Sequence, residues 1–268
     1  MSAQVSGVWV WAKKRVSRWK RGALWQWALV GLLAALLAAD LVRVWGITNH
    51  HDLDVFLLAA RRLVAGEDIF ADAAPFKALI ESGAFSMQDA TVVWPYMYAP
   101  LIALLFAPAV WLPYPLVQAL WWACNVAALL GGTWLCLRAV GRVTPLALAL
   151  GLLIICRFDP AIVTLRLGQI ELAQFLLLAL TLYALSRGRE RWAGVALGVA
   201  TGLKFFPGAL IALLVWRRRW QAAAWATATA LVTILGSFAV VGLDALPRYF
   251  SYTSMYGIGG AFAAFPYN

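Results

Sequence analysis

The stretch Thr48-Asn49-His50-His51-Asp52-Leu53-Asp54-Val55-Phe56 follows directly on an apolar run at 24–45. At a helical rise of about 1.5 Å per residue that run covers about 33 Å, enough for a hydrocarbon core of about 30 Å. It is too long for a signal-peptide core, and no small-residue cleavage site follows it, so it reads as a retained membrane span. Two carboxylates and two imidazoles therefore sit where a membrane helix emerges into water, and the rest of the chain is read outward from that point.

Composition sets the class. With 63% hydrophobic and 13% charged residues and a mean hydropathy of +0.79, the chain demands several spans and cannot be a soluble domain of this size. Its net charge of +10 would point to nucleic acid in a soluble protein. Here Lys and Arg flank apolar segments, as topology signals do, so nucleic acid is not expected as a partner. Cys124, Cys136 and Cys156 lie within apolar runs and read as small buried hydrophobes, without disulfide or metal-ligand spacing. His50 and His51 likewise lack partners at ligand spacing, and no metal site is expected.

The expected fold is all-α, a polytopic transmembrane helical bundle of about seven spans with interfacial and re-entrant helices in the first outer loop. Residues 1–23 carry Lys13, Lys14, Arg15, Arg18, Lys20 and Arg21 without an acid, which holds the N-terminus in the cytoplasm. The first transmembrane helix is 24–45, where Asp40 and Arg43, three apart, are expected to pair on one face. Seven of the twelve acids then fall between Asp52 and Asp89. The segment 46–114 contains no long apolar run before residue 98 and is read as an outer loop.

Its part 54–65 has apolar residues at helical spacing around Arg61 and Arg62, with Gly66 as a stop, and suits a helix lying in the interface. The apolar piece 98–113 is short and broken by Pro108. Read as re-entrant, it keeps Arg138 and Arg142 inside. Six further segments fill 115–241, at 115–137, 145–156, 168–185, 192–205, 206–216 and 222–241, and 242–268 begins a second outer loop. This arrangement puts 14 of the 22 Lys and Arg on the inner side, with Glu190 the lone acid there. The chain has no organelle signal, so the plasma membrane is the expected location.

Polar groups from separate segments then meet at the outer side: Asp52 and Asp54; Arg157, Asp159 and Arg166; Gly168-Gln169 with Glu171; and Lys204. Such groups at one depth can enclose a pocket. Each also has a plainer reading. Lys204 could snorkel at the interface, Gln169 and Glu171 could cap a helix start, and Arg157, Asp159 and Arg166 could form a loop ion-pair group.

In order, Asp52-Leu53-Asp54-Val55-Phe56, Leu63-Val64-Ala65-Gly66-Glu67-Asp68-Ile69-Phe70, Tyr98-Ala99-Pro100-Leu101, Gly168-Gln169 and Leu203-Lys204-Phe205-Phe206-Pro207 resemble glycosyltransferase family 87. These are C-superfamily membrane mannosyltransferases that take their sugar from a polyprenyl-phosphate carrier. The resemblance runs from about residue 46 to the end. The family's acid in an Asp-Leu-x-Val-Tyr context aligns with Asp52, and Phe56 replaces the usual Tyr. Relatives are commonly longer, with further spans after a second outer loop, so this chain is expected to lack a C-terminal part.

The resemblance implies Asp52 as general base with Asp54 as its neighbouring candidate, and Tyr98, Gln169 and Lys204 near donor or acceptor; Arg166, on the same side, joins them as a candidate substrate-binding residue. Transfer from a lipid-phosphate sugar needs a carboxylate at the acceptor hydroxyl and a cation for the leaving phosphate. The implied partners are a polyprenyl-phosphate sugar donor, a lipid or glycan acceptor and the membrane. No cofactor is expected, since a lipid carrier needs neither a nucleotide-binding fold nor an obligatory metal. Asp52-Leu53-Asp54 is formally Asp-x-Asp, but on the outer face, where nucleotide sugars are scarce, it is not read as a nucleotide-sugar motif. A transporter or channel, or a non-catalytic lipid-binding subunit, are the alternatives. A transporter should show paired repeats with broken helices near the midplane, whereas here the polar groups gather at one surface.

Overall fold

The computed structural model describes residues 3–46, 50–72, 75, 95–141 and 143–250, and for 3–23 and 156 the backbone alone. Among the described residues every regular element is helical. In chain order they are α1 (Ala3–Gly46), α2 (His51–Ala65), α3 (Pro100–Phe106) running into a 3₁₀ turn (Ala107–Trp111), and α4 (Tyr114–Val140). Then come α5 (Pro145–Arg157), α6 (Asp159–Leu167), α7 (Glu171–Ser186), α8 (Glu190–Leu203), a 3₁₀ turn (Phe206–Gly208), α9 (Ala209–Trp216) and α10 (Trp220–Val241).

Among the described residues three stretches are long and apolar enough to cross a membrane: Leu24–Gly46, Tyr114–Val140 and Trp220–Val241. A fourth arises if Pro145–Ile155 and Asp159–Leu167, bent by 60°, count as one. Pro160 explains the bend, since its nitrogen has no hydrogen to continue the ladder from α5. The expected count of seven is therefore not reached on length. Glu171–Ser186 has 16 residues and Ala209–Trp216 has 8, against the ~20 that a perpendicular crossing needs. Their outer surfaces are nevertheless apolar: Leu182 is 46% exposed and Trp216 77%. A surface of this kind is stable against lipid and unstable against water.

Pairwise packing gives the helix directions. Gln174 in α7 donates to the carbonyl of Ala200 in α8 at 3.0 Å, and Thr181 to that of Ala193 at 3.4 Å, so α7 and α8 are antiparallel. Along α8, a Cβ on Gly194 would meet Ala222 O at 2.4 Å, one on Gly198 would meet Thr229 Cβ at 2.5 Å, and one on Gly202 would meet Thr233 Oγ1 at 2.3 Å. The partners advance with the glycines, so α8 and α10 are parallel and pack backbone to backbone. Trp121 meets Gly168 just before α7 while Gly132 meets Phe175, which makes α4 parallel to α7. Gly151 of α5 packs at Thr133 and Leu137 of α4. The end of α1 reaches the start of α4, where the rings of Trp45 and Trp122 lie 5.4 Å apart edge to face.

One end of the bundle therefore collects the ends of α1, α6, α8 and α10, the starts of α4 and α7, and all of α2 and α3. The opposite end carries Arg138, Arg187, Arg189, Arg191 and Arg217–Arg219, several of them over aromatic rings, as Arg191 is over Trp225 at 4.5 Å and Arg138 over Trp134 at 4.9 Å.

Several local expectations are revised. The helix expected at 54–65 begins at His51, which moves Asp52 and Asp54 into its first turn, and it buries Leu53, Val55, Phe56, Leu57, Ala59 and Ala60 in the largest core cluster. It lies inside the protein more than on a surface. Gly66, at φ 73°, ends it as expected. Neither Asp40 nor Arg43 takes part in an ion pair among the described residues, and Arg43 points outward. The segment expected to be a loop is the end of α5, with Arg157, followed by the helix α6, with Asp159 and Arg166; all three side chains are exposed and make no ion pair among the described residues. Cys124 is exposed on α4, not buried. Residues 73–74 and 76–94 of the first outer loop, with Glu81 and Asp89, and all of 251–268 fall outside the described residues.

Candidate functional site

The site is built on helix ends. Asp52 stands in the first turn of α2, Glu171 in the first turn of α7, and Lys204 directly after the last turn of α8. Unsatisfied N–H groups make a helix start favourable for a carboxylate, and unsatisfied carbonyls make a helix end favourable for an ammonium. Three elements distant in sequence thereby present charges of the sign their backbone dipoles favour.

Two close approaches bring these ends together. Gly168 ends α6 at φ 71°, in the left-handed region that glycine enters at no steric cost. A Cβ there would lie 3.2 Å from that of Leu53, so the absence of a side chain lets the α6–α7 turn press against α2. Trp121 of α4 holds the turn by donating from Nε1 to the Gly168 carbonyl at 2.7 Å, and the His50 amide donates to the Arg166 carbonyl at 3.2 Å. His50 itself is buried in a left-handed conformation (φ 48°) with its ring 5.6 Å from that of Trp45. Burial lowers its pKa, against the opposing charge of Asp54, so it favours the neutral imidazole.

Gln169 is set by the same turn. Its Oε1 accepts from Thr164 Oγ1 at 3.3 Å, which leaves its amide hydrogens for the Asp52 carboxylate. Asp52 has its pKa raised chiefly by burial. Glu171 adds to the shift, while the Gln169 hydrogen bond, His51 and Lys204 oppose it. Oδ2 of Asp52 is buried without a hydrogen-bond partner among the described residues, as is Oε2 of Glu171. A buried acceptor left open is costly to the fold and available to a ligand.

Lys204 Nζ pairs with Glu171 Oε1 and lies 5.4 Å from the centre of the Tyr98 ring. Its backbone is pinned by Gln174, whose amide reaches the Ala200 and Lys204 carbonyls at 3.0 and 3.4 Å. Tyr98 stands edge to face on Phe56 at 4.9 Å. Burial, and then the charges of Asp52 and Glu171, push its hydroxyl well above the ordinary phenol value, so it stays a neutral donor. Tyr96 braces the turn into α3, donating to the Ala99 carbonyl at 2.6 Å and accepting from Ala103 N at 3.1 Å.

Asp52, Tyr98, Gln169 and Lys204 are thus brought together, with Glu171 as a fifth member. Asp54 is not. About 200° further round α2, it is exposed and accepts from the Tyr114 hydroxyl. Arg166 contributes its backbone carbonyl while its side chain points outward. Sequence reasoning placed Glu171 among the outer polar groups, with a helix cap as its plainer reading, and passed over Gln174. Their spacing of three, which puts both on one face of an apolar helix, was the signal that linked them.

Beside this cluster an apolar cavity of about 600 Å³ runs between α4, α5, α6 and α7, from Glu171 and Thr164 down to Val140. Phe175, Leu172, Ile155 and Leu129 are among its walls. Polar cluster and apolar cavity meet at Glu171, an arrangement suited to an amphiphile with an anionic head and a hydrocarbon tail.

Similarity to known proteins covers much of the chain. A family model described as Glycosyltransferase family 87 matches residues 96–266. The chain is 32% identical over 169 residues to the polyprenol-phosphate-mannose-dependent alpha-(1-2)-phosphatidylinositol pentamannoside mannosyltransferase of Mycobacterium tuberculosis (strain CDC 1551 / Oshkosh), covering 62% of this chain and 38% of the relative. It is 32% identical over 162 residues to the protein of that description from Mycolicibacterium smegmatis (strain ATCC 700084 / mc(2)155), covering 59% and 38%. To a polyprenol-phosphate-mannose-dependent alpha-(1-2)-phosphatidylinositol mannoside mannosyltransferase of that strain it is 26% identical over 210 residues, covering 73% and 45%. The chain spans about two fifths of the length of these curated relatives. No solved structure matches. Tyr98, Gln169, Glu171 and Lys204 fall within the residues matched by the family model, and Asp52 precedes them.

Proposed function

Because the chain belongs to glycosyltransferase family 87, we propose that it forms the active-site part of a membrane mannosyltransferase that moves mannose from polyprenyl-phosphate mannose to a hydroxyl of a lipid or glycan acceptor. The named relatives make phosphatidylinositol mannosides the first acceptors to try. The reading is supported above all by one observation: Asp52, Gln169, Tyr98 and Lys204 converge at one end of the bundle, against an apolar cavity that a polyprenyl tail suits.

The acceptor oxygen attacks the anomeric carbon and gives its proton to Asp52. The bond from that carbon to the phosphate oxygen breaks, and its electron pair leaves with the phosphate, whose growing charge faces Lys204. Burial suits Asp52 to this work, because a carboxylate of ordinary pKa is a weak base. Gln169 orients the carboxylate, and Tyr98 donates to phosphate or sugar oxygens while its ring supports the Lys204 ammonium. Asp54 and Arg166 remain proposals of lesser weight, reaching the substrate through movement of the Tyr114 contact or from the rim.

In this reading the site faces outward, the basic N-terminus is cytoplasmic and the membrane is the plasma membrane. The segment 98–113 dips in and returns without crossing, which is supported by its two ends: Tyr98 packs on Phe56 and Tyr114 bonds Asp54, both in the first turns of α2.

The test is transfer of label from radiolabelled polyprenyl-phosphate mannose, with phosphatidylinositol mannosides supplied, in membranes holding the full-length protein. Labelled product lipid is the expected outcome. Absence of any labelled product in membranes that contain the folded protein would sink the reading in favour of transport or a binding role.

A further inference from the structure

Glu171 sits on a boundary. One carboxylate oxygen pairs with Lys204, the other is buried without a hydrogen-bond partner among the described residues, and the side chain forms the polar edge of the apolar cavity. An amphiphile lying in that cavity with its phosphate at Lys204 must bring the phosphate to the place where the Glu171 carboxylate now is. The two anions compete for one ammonium, and their mutual repulsion disfavours both being held at once.

Resting on the reading that the donor phosphate binds at Lys204, we propose that Glu171 is a positioning residue: it holds Lys204 aimed at the site, yields it to the donor phosphate, and takes it back when the polyprenyl phosphate leaves. The geometry suits an exchange of partners. The Lys204 backbone is fixed through Gln174, so only the flexible side chain needs to swing, and the pair is about one third exposed, open to an incoming anion.

The exchange also answers a difficulty of the reaction. Transfer turns a phosphodiester into a phosphomonoester, whose charge at neutral pH is about −1.5 to −2 and which an isolated lysine would retain more strongly than the donor. A resident carboxylate that competes for the lysine weakens the hold on both lipids and most on the product, so the product can leave. Removing that carboxylate should therefore tighten binding. A merely structural residue at this place would loosen it.

The experiment measures donor KM, kcat and inhibition by polyprenyl phosphate on the full-length protein in proteoliposomes. For Glu171→Gln we expect the polyprenyl phosphate inhibition constant to fall by about tenfold, which is the scale of one lost ion-pair competitor, with donor KM falling by about threefold and kcat falling as release slows. Glu171→Asp keeps the charge and shortens its reach by one methylene. It should fall between, at about threefold tighter inhibition, and carries the test if the glutamine variant does not fold.

Inhibition unchanged or weaker in the folded variants overturns the role of Glu171. Lys204→Ala separates the two proposals. If it weakens inhibition while neither glutamate variant tightens it, only Glu171's role is lost; if it leaves inhibition unchanged, the phosphate position fails and this inference with it.

Discussion

Burial gives Asp52 its chemistry and a cost in stability. Its carboxyl titrates above the ordinary 3.8, chiefly through desolvation. A group whose folded pKa is raised contributes stability that is full below its unfolded pKa and lost as pH rises through the folded one. Ionised Asp52 therefore costs stability at neutral pH. Asp52→Asn should lower turnover by about 10²-fold or more and raise the thermal unfolding midpoint at pH 7, with the gain vanishing as the pH falls below the carboxylate range. The catalytic pH profile of the native protein should fall on its acid side through a pKa above 3.8. Asp54→Asn, whose carboxylate is held by Tyr114 outside the cluster, should cost much less. Full activity in Asp52→Asn with loss in Asp54→Asn would move the base by two residues.

Single helices here are positioned by what they lack. Gly194, Gly198 and Gly202 lie one turn apart along α8, and each leaves space that α10 fills with Ala222, Thr229 or Thr233. Because Lys204 follows Leu203, the seating of α8 on α10 sets the depth of the site's cation. Gly198→Leu would place a side chain where even a Cβ lies 2.6 Å from the Ala226 carbonyl oxygen. Overpacking of this kind should lower stability in detergent by about 1–3 kcal/mol, read as a lower midpoint of thermal aggregation. Gly236→Ala on α10, where a Cβ meets nothing within 4 Å, is the control and should leave the midpoint at or above the native one, since alanine is favoured over glycine in a helix interior by about 0.5–1 kcal/mol. Equal loss in both would show that the glycine face does not hold α8.

At the scale of the molecule, the two ends of the bundle differ in charge and chemistry. One carries the Asp52–Lys204 cluster, the other the arginines at 187–191 and 217–219, where Arg219 pairs with Glu190 at 2.7 Å. The basic end should face the cytoplasm. With Cys124, Cys136 and Cys156 replaced by alanine, Glu67→Cys should react with a membrane-impermeant thiol reagent added outside intact cells, and Ser186→Cys should react only after permeabilisation. Both positions are exposed. Reversed labelling would place the Asp52 cluster on the cytoplasmic side and remove the external acceptor from the proposed reaction.

Apolar run lengths, the distribution of arginine and the scarcity of acids between 90 and 268 were enough to read an all-helical membrane protein, because the bilayer constrains each segment separately and leaves its mark locally in the chain. Asp52, Tyr98, Gln169 and Lys204 were also legible, as polar residues beside apolar runs and as parts of an ordered resemblance. Which of Asp52 and Asp54 enters the cluster was legible through the resemblance alone, since it depends on the rotation of α2 about its axis, set by burial of Leu53, Val55 and Phe56. The helix over Asp159–Leu167 was hidden behind its two exposed charges, Asp159 and Arg166, and the neighbouring Arg157, which resemble a loop in sequence. Glu171 was visible as one of the outer polar groups, with a helix cap as its plainer reading. Its pairing with Lys204, 33 positions away, and its place at the mouth of the apolar cavity exist because α7 and α8 pack antiparallel. That pairing is a long-range consequence of contacts such as Gln174 on the Ala200 carbonyl, 26 positions away, which no local pattern of the chain encodes.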